Sequence, residues 1–150
     1  MVVAVVAGVV WFVLRPGAEP IPAGQARDLA ARVTPMIEQK LTAEWLGGAA
    51  GQRVACAVRP FGVEPREGEA ETAYVWTLCA TLGTEVRSES SVPMAVHLDT
   101  GSIEAPSEGG YGEQIERIFP ERLHDEATGT ELVAGLDAVL EQRILSLDRP

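Results

Sequence analysis

Apolar and polar residues follow different periods in successive parts of this chain. Val2 to Leu14 (VVAVVAGVVWFVL) is a run of thirteen residues without a charge or a strong polar group. From Ala23 to Trp45 the apolar positions are Leu29, Val33, Ile37, Leu41 and Trp45, each four after the last, which predicts an amphipathic helix with that stripe against a core. Arg27, Asp28, Arg32, Glu38 and Lys40 fall on the other side. Pro35 predicts either a kink or a second helix opened by Thr34 as N-cap, and Gly47-Gly48 ends the pattern.

The period then shortens to two. Arg53 to Arg59 predicts a strand with Val54, Cys56 and Val58 on one face. Thr72 to Leu82 (TAYVWTLCATL) predicts the strongest strand, Tyr74, Trp76 and Leu78 pointing one way and Val75, Thr77 and Cys79 the other. Ser91 to Leu98 alternates through Val92, Met94, Val96 and Leu98, with Pro93 marking an edge or a bulge. Pro60 to Glu71 and Gly83 to Ser90 are the polar connecting loops. Helical spacing returns at Tyr111 to Phe119, which Pro120 closes. Thr128-Gly129-Thr130-Glu131 fits a capping box that opens a last helix, with Leu132, Leu136, Val139, Leu140 and Ile144 inward. The order α-β-β-β-α-α lacks βαβ alternation and predicts an α+β fold. Its parts are a first helix, a three- to four-stranded antiparallel sheet and C-terminal helices.

Composition narrows the function classes. The chain has 150 residues, 46% of them apolar, with 12 basic and 22 acidic side chains and a formal charge of −10. That balance excludes nucleic acid as a partner, because phosphate binding needs a basic face. Two Cys and no fixed repeat exclude disulfide miniproteins and repeat arrays. Eleven of the basic residues are Arg, Lys40 is the only Lys and Asn is absent, a bias of high-GC codon usage.

Residues 1–15 read as a hydrophobic signal-anchor, 16–22 as a Pro-rich linker and 23–150 as one domain, long enough to bury roughly 65–70% of its surface. The apolar run is short of the roughly 20 residues of a full span. Met1 alone precedes it, so the expectation is a true start upstream that supplies a basic n-region. Gly24-Gln25-Ala26 resembles a cleavage site but lies far from the run, which favours an uncleaved anchor in the membrane through residues 2–14. Arg15, Arg27 and Arg32 on its C-terminal side formally favour a cytoplasmic domain. The cysteines favour an extracytoplasmic one, and that is the orientation expected.

Cys56 and Cys79 lie on strands that are natural hairpin neighbours. If they face each other, Val58 faces Thr77 and Val54 faces Thr81 in consistent alternation, and a disulfide closes a loop of about 24 residues, worth ~3 kcal/mol. Two buried free thiols are the other reading. Leu98-Asp99-Thr100-Gly101-Ser102 resembles the Asp-Thr-Gly signature of aspartic proteases, and a single copy would need a homodimer to pair two aspartates. The alternative is an ordinary turn after a strand. His97 and Asp99 share a strand face without a third ligand for zinc, and Glu64, Glu67, Glu69 and Glu71 lack an EF-hand cadence. Ser88, Ser90 and Ser91 have no nucleophile elbow. No cofactor, metal site or catalytic residue is therefore expected.

Trp45, Tyr74 and Trp76 are the candidate ligand-facing residues. Either they line a concavity for a small ligand or peptide, or Tyr74 and Trp76 are core with the stripe Leu29, Val33, Ile37 and Leu41 lying over them. The blocks Cys56 to Val58, Tyr74 to Cys79 and Pro106 through Tyr111 to Pro120 resemble small exported proteins of high-GC Gram-positive bacteria. The helix before a curved antiparallel sheet is similar to cystatin-like or NTF2-like half-shells. That resemblance implies an architecture and an exported habit. The functional expectation is a membrane-tethered, extracytoplasmic, non-catalytic module that binds a protein or a small ligand. The alternatives are a homodimeric acid protease using Asp99 and an assembly subunit acting through its anchor helix.

Overall fold

A computed structural model describes residues 19–149. The anchor expected at residues 2–14 lies outside them. Among the described residues, no helix is long and apolar enough to cross a membrane.

Helix α1 spans Ala23–Leu46 without interruption, so Pro35 neither breaks it nor starts a second one. Thr34 does not cap; its hydroxyl donates to the Ala30 carbonyl at 2.6 Å. A mid-helix proline costs about 3 kcal/mol, and the apolar stripe on both sides of Pro35 offsets this by packing on one continuous sheet. Strands β1 (Arg53–Glu64), β2 (Thr72–Leu82), β3 (Glu89–His97) and β4 (Ile103–Glu104) form one antiparallel meander in the order β1-β2-β3-β4. After them come α2 (Tyr111–Ile118), a 3-10 turn, α3 (His124–Thr128), a second 3-10 turn at Glu131–Val133, and α4 (Leu136–Leu147).

The sheet is covered on both faces. Leu29, Val33, Ile37 and Leu41 of α1 pack with Val54, Cys56, Val75, Cys79, Met94 and Val96. The opposite face carries Ala55, Ala57, Tyr74, Trp76 and Ala95, packed with Ile115, Phe119, Leu123, Leu136 and Leu140 of the C-terminal layer. The expectation that the α1 stripe lies over Tyr74 and Trp76 is therefore corrected: these rings are buried, but beneath the other layer. Parity sorts a strand into two faces without saying which helix covers which.

Strand β1 runs five residues past the expected end at Arg59, because its register shifts between Pro60 and Gly62. The bulge keeps Phe61 on the face with Ala55 and Ala57 while turning Val63 to the face of Cys56. Gly62 permits this, since a Cβ there would run into the Leu123 side chain. The capping box at Thr128 is also corrected. Thr128 ends α3, its hydroxyl donating to the His124 carbonyl at 2.8 Å, and α4 opens only at Leu136 after Gly135 in the left-handed region (φ 81°). Leu136 and Leu140 are inward as expected, whereas Val139 is 44% exposed.

Glu38 departs furthest from its expected place on the solvent side of α1. It is only 9% exposed and turns to the outer edge of β1, where its Oε1 accepts the Cys56 N–H at 3.0 Å. One turn on, the Thr42 hydroxyl accepts the Val54 N–H at 2.9 Å. Arg143 of α4 reaches round that edge and donates from Nε and Nη2 to both Glu38 oxygens, at 2.9 and 2.7 Å. One carboxylate thus ties α1, β1 and α4 together.

Candidate functional site

Cys56 and Cys79 pair across β1 and β2 with Cα atoms 4.1 Å apart and form a disulfide. Their neighbours follow the expected register, Val54 opposite Thr81 and Val58 opposite Thr77. The bridge lies beneath α1 in the dry layer, where it joins strands rather than presenting a reactive sulfur. A bridge of this kind is the mark of an oxidising compartment, and it points to an extracytoplasmic domain.

The three candidate aromatics do not come together. Trp45, on the last turn of α1, is 41% exposed on one side of the sheet, while Tyr74 (5%) and Trp76 (6%) are on the other. The Tyr74 hydroxyl donates to Glu64 Oε2 at 3.0 Å, and its ring meets Phe119 at 5.7 Å. Burial raises the Tyr74 hydroxyl well above its ordinary pKa, and the neighbouring Glu64 carboxylate adds to the rise. The Trp76 indole N–H donates to the Glu126 carbonyl oxygen at 2.7 Å.

One edge of Trp76 remains in reach. Helix α4 packs on β1 and β2 and stops short of β3, leaving a shelf where Trp76, Leu78 and Ser91 form a floor and Val133, Ala134 and Asp137 form a wall. The groove measures about 650 Å³. Beside it, sharing Thr130, is a second groove of about 520 Å³ lined by Asp125, Glu131 and Leu132. Leu78 is legible from sequence, since it shares the parity of Tyr74 and Trp76. The wall residues are hidden, because Leu132 to Gly135 read as part of a helix and instead form a 3-10 turn and a left-handed glycine.

The remaining candidates are held by structural partners. Asp99 is exposed in the turn after β3, its carboxylate accepting the Thr100 N–H at 2.9 Å. His97 has Nδ1 at 3.2 Å from the Thr72 hydroxyl and Nε2 at 3.0 Å from Glu104, so it ties β2, β3 and β4 together. His124 Nε2 is 2.8 Å from the Phe119 carbonyl oxygen. Glu64 accepts the Tyr74 hydrogen bond, while Glu67, Glu69, Glu71 and Ser88, Ser90 and Ser91 are exposed. Among the described residues, no group of three or more His, Cys, Asp or Glu stands where it could hold a metal ion. No family model, curated protein or solved structure matches this chain, so the open groove beside α4 is read from its own geometry.

Proposed function

We propose that this chain is a non-catalytic binding module, tethered to a membrane through residues 2–14 with its domain on the extracytoplasmic side. The observation that carries the reading is the open apolar shelf over Trp76 and Leu78, a shallow groove of about 650 Å³ beside α4. The buried disulfide supports the exterior placement. The 24-residue α1 laid across a four-stranded meander supports the reading of that half as a cystatin-like half-shell, to which the C-terminal helices add a second layer. The acid-protease alternative has little support, because Asp99 satisfies its own turn.

Two measurements test the placement. Denatured, unreduced protein taken from the native envelope is expected to show no thiol reactive to a maleimide, and protease added outside intact cells is expected to remove the domain. Two reactive thiols together with protection from external protease would overturn the placement. The binding role is tested by the surface itself: ligand-dependent shifts in an NMR spectrum are expected at Trp76, Leu78 and Val133, and shifts confined to other surfaces would overturn it.

A further inference from the structure

The two faces of the sheet carry different charge. Helix α1 has three basic and three acidic residues, whereas Glu104 to Arg149 holds eleven carboxylates against four arginines. The open grooves lie in that acidic layer. Among the described residues, no Lys, Arg or His lines either one. Arg87 occupies Glu89 and Glu141, at 2.7 and 2.6 Å, one helical turn beyond Asp137. Asp125, Glu131 and Asp137 are exposed and make no ion pair among the described residues. Arg59 lies behind the wall, its Nη1 donating to the Leu132 carbonyl at 2.8 Å, and it makes no ion pair with these three carboxylates. The result is an apolar floor with a carboxylate rim free of ion pairs along two neighbouring grooves.

We propose that this trench binds an extended basic peptide segment of a partner, with an aliphatic side chain seated on Trp76 and Leu78 and flanking Lys or Arg side chains at Asp125, Glu131 and Asp137. The proposal rests on the binding reading above and names its ligand. Charge selects the occupant: a second copy of this chain, at −10, would set acid against acid. Shape selects a peptide over a compact cation, because the grooves are open and adjoining, at about 650 and 520 Å³. Alternation in an extended chain turns one side chain to the floor and its neighbours the opposite way, from where the long stems of Lys or Arg reach back over to the rims.

The test uses the full 150-residue chain in a nonionic detergent. Its probe is fluorescein-labelled Lys-Leu-Lys-Val-Lys, compared with Ser-Leu-Ser-Val-Ser and Lys-Gly-Lys-Gly-Lys. The first is expected to bind and to weaken as salt rises. Asp137→Asn and Glu131→Gln, both exposed, are each expected to weaken it about two- to five-fold, and Leu78→Ala about four-fold. Glu67→Gln, on the far loop, is expected to change nothing. Equal binding of the uncharged peptide overturns the ligand class and leaves a binding module standing. Equal binding of the glycine peptide overturns the role of the floor. Failure of all three peptides to bind overturns the proposal. The NMR map of the previous section then decides whether the shelf binds anything else.

Discussion

Glu38 shows how much one side chain can hold. Its two oxygens accept from a backbone N–H and from a bidentate arginine, which satisfies a carboxylate that burial would otherwise penalise. Glu38→Ala leaves Arg143 half-buried without its partner and the Cys56 N–H without an acceptor. The expected loss is about 3 kcal/mol in urea unfolding, with Glu38→Gln retaining part of it. Tyr74 makes a pH prediction. Because its hydroxyl is held protonated above its ordinary pKa, the native state keeps a proton that the unfolded chain releases above about pH 10. Stability contributed below that pH is therefore lost as pH rises beyond it. Tyr74→Phe is expected to flatten the alkaline limb of the stability curve, and a limb unchanged by that substitution would show the effect to lie elsewhere. Glu38 is illegible in sequence because a charge on an amphipathic helix reads as solvent-facing, and only the unpaired edge of β1 gives it a reason to turn inward. The burial of Tyr74 and Trp76 is legible, since aromatics alternating on a strand fill one face.

At the scale of elements, β2 is legible to the residue because alternation through TAYVWTLCATL is unbroken and Gly83 follows it. The cysteine register is legible for the same reason: two same-face positions on neighbouring strands can meet in only a few ways. The bulge is not legible. Pro60 and Gly62 read as loop residues, and only the close approach of Leu123 explains why a strand passes through them. Gly62→Ala is expected to cost about 1–3 kcal/mol by overpacking against Leu123, measured by thermal unfolding. Replacing both cysteines by serine is expected to cost ~3 kcal/mol and to leave the far-ultraviolet spectrum native, since the bridge constrains the unfolded chain more than it shapes the sheet. The start of α4 is the other illegible boundary. A sound capping pattern at Thr128 loses to Gly129 and Gly135, which let the chain cross the shelf before it turns helical.

For the whole molecule, charge and layering set behaviour in solution. A formal charge of −10 on 150 residues repels itself, and the acidic C-terminal layer concentrates the effect. Raising the salt from low to physiological strength is expected to raise the melting temperature, and a fall would show that the ion pairs of Arg53, Arg66 and Arg87 outweigh the repulsion. The two borders of the sheet have a further consequence. β1 has its outward N–H groups at Val54 and Cys56 taken by Thr42 and Glu38, and the other border is β4, two residues long. Along β1 these occupied N–H groups interrupt the row that a neighbouring strand would need; along the other border Glu89–Met94 of β3 extend past β4, where Pro93 has no N–H to give. A chain this apolar is thereby guarded along β1 against edge-to-edge growth into fibrils. Thr42→Val combined with Glu38→Leu removes that guard and moves the formal charge only from −10 to −9. Under mild heating, the double variant is expected to gain thioflavin T fluorescence well before the parent chain does.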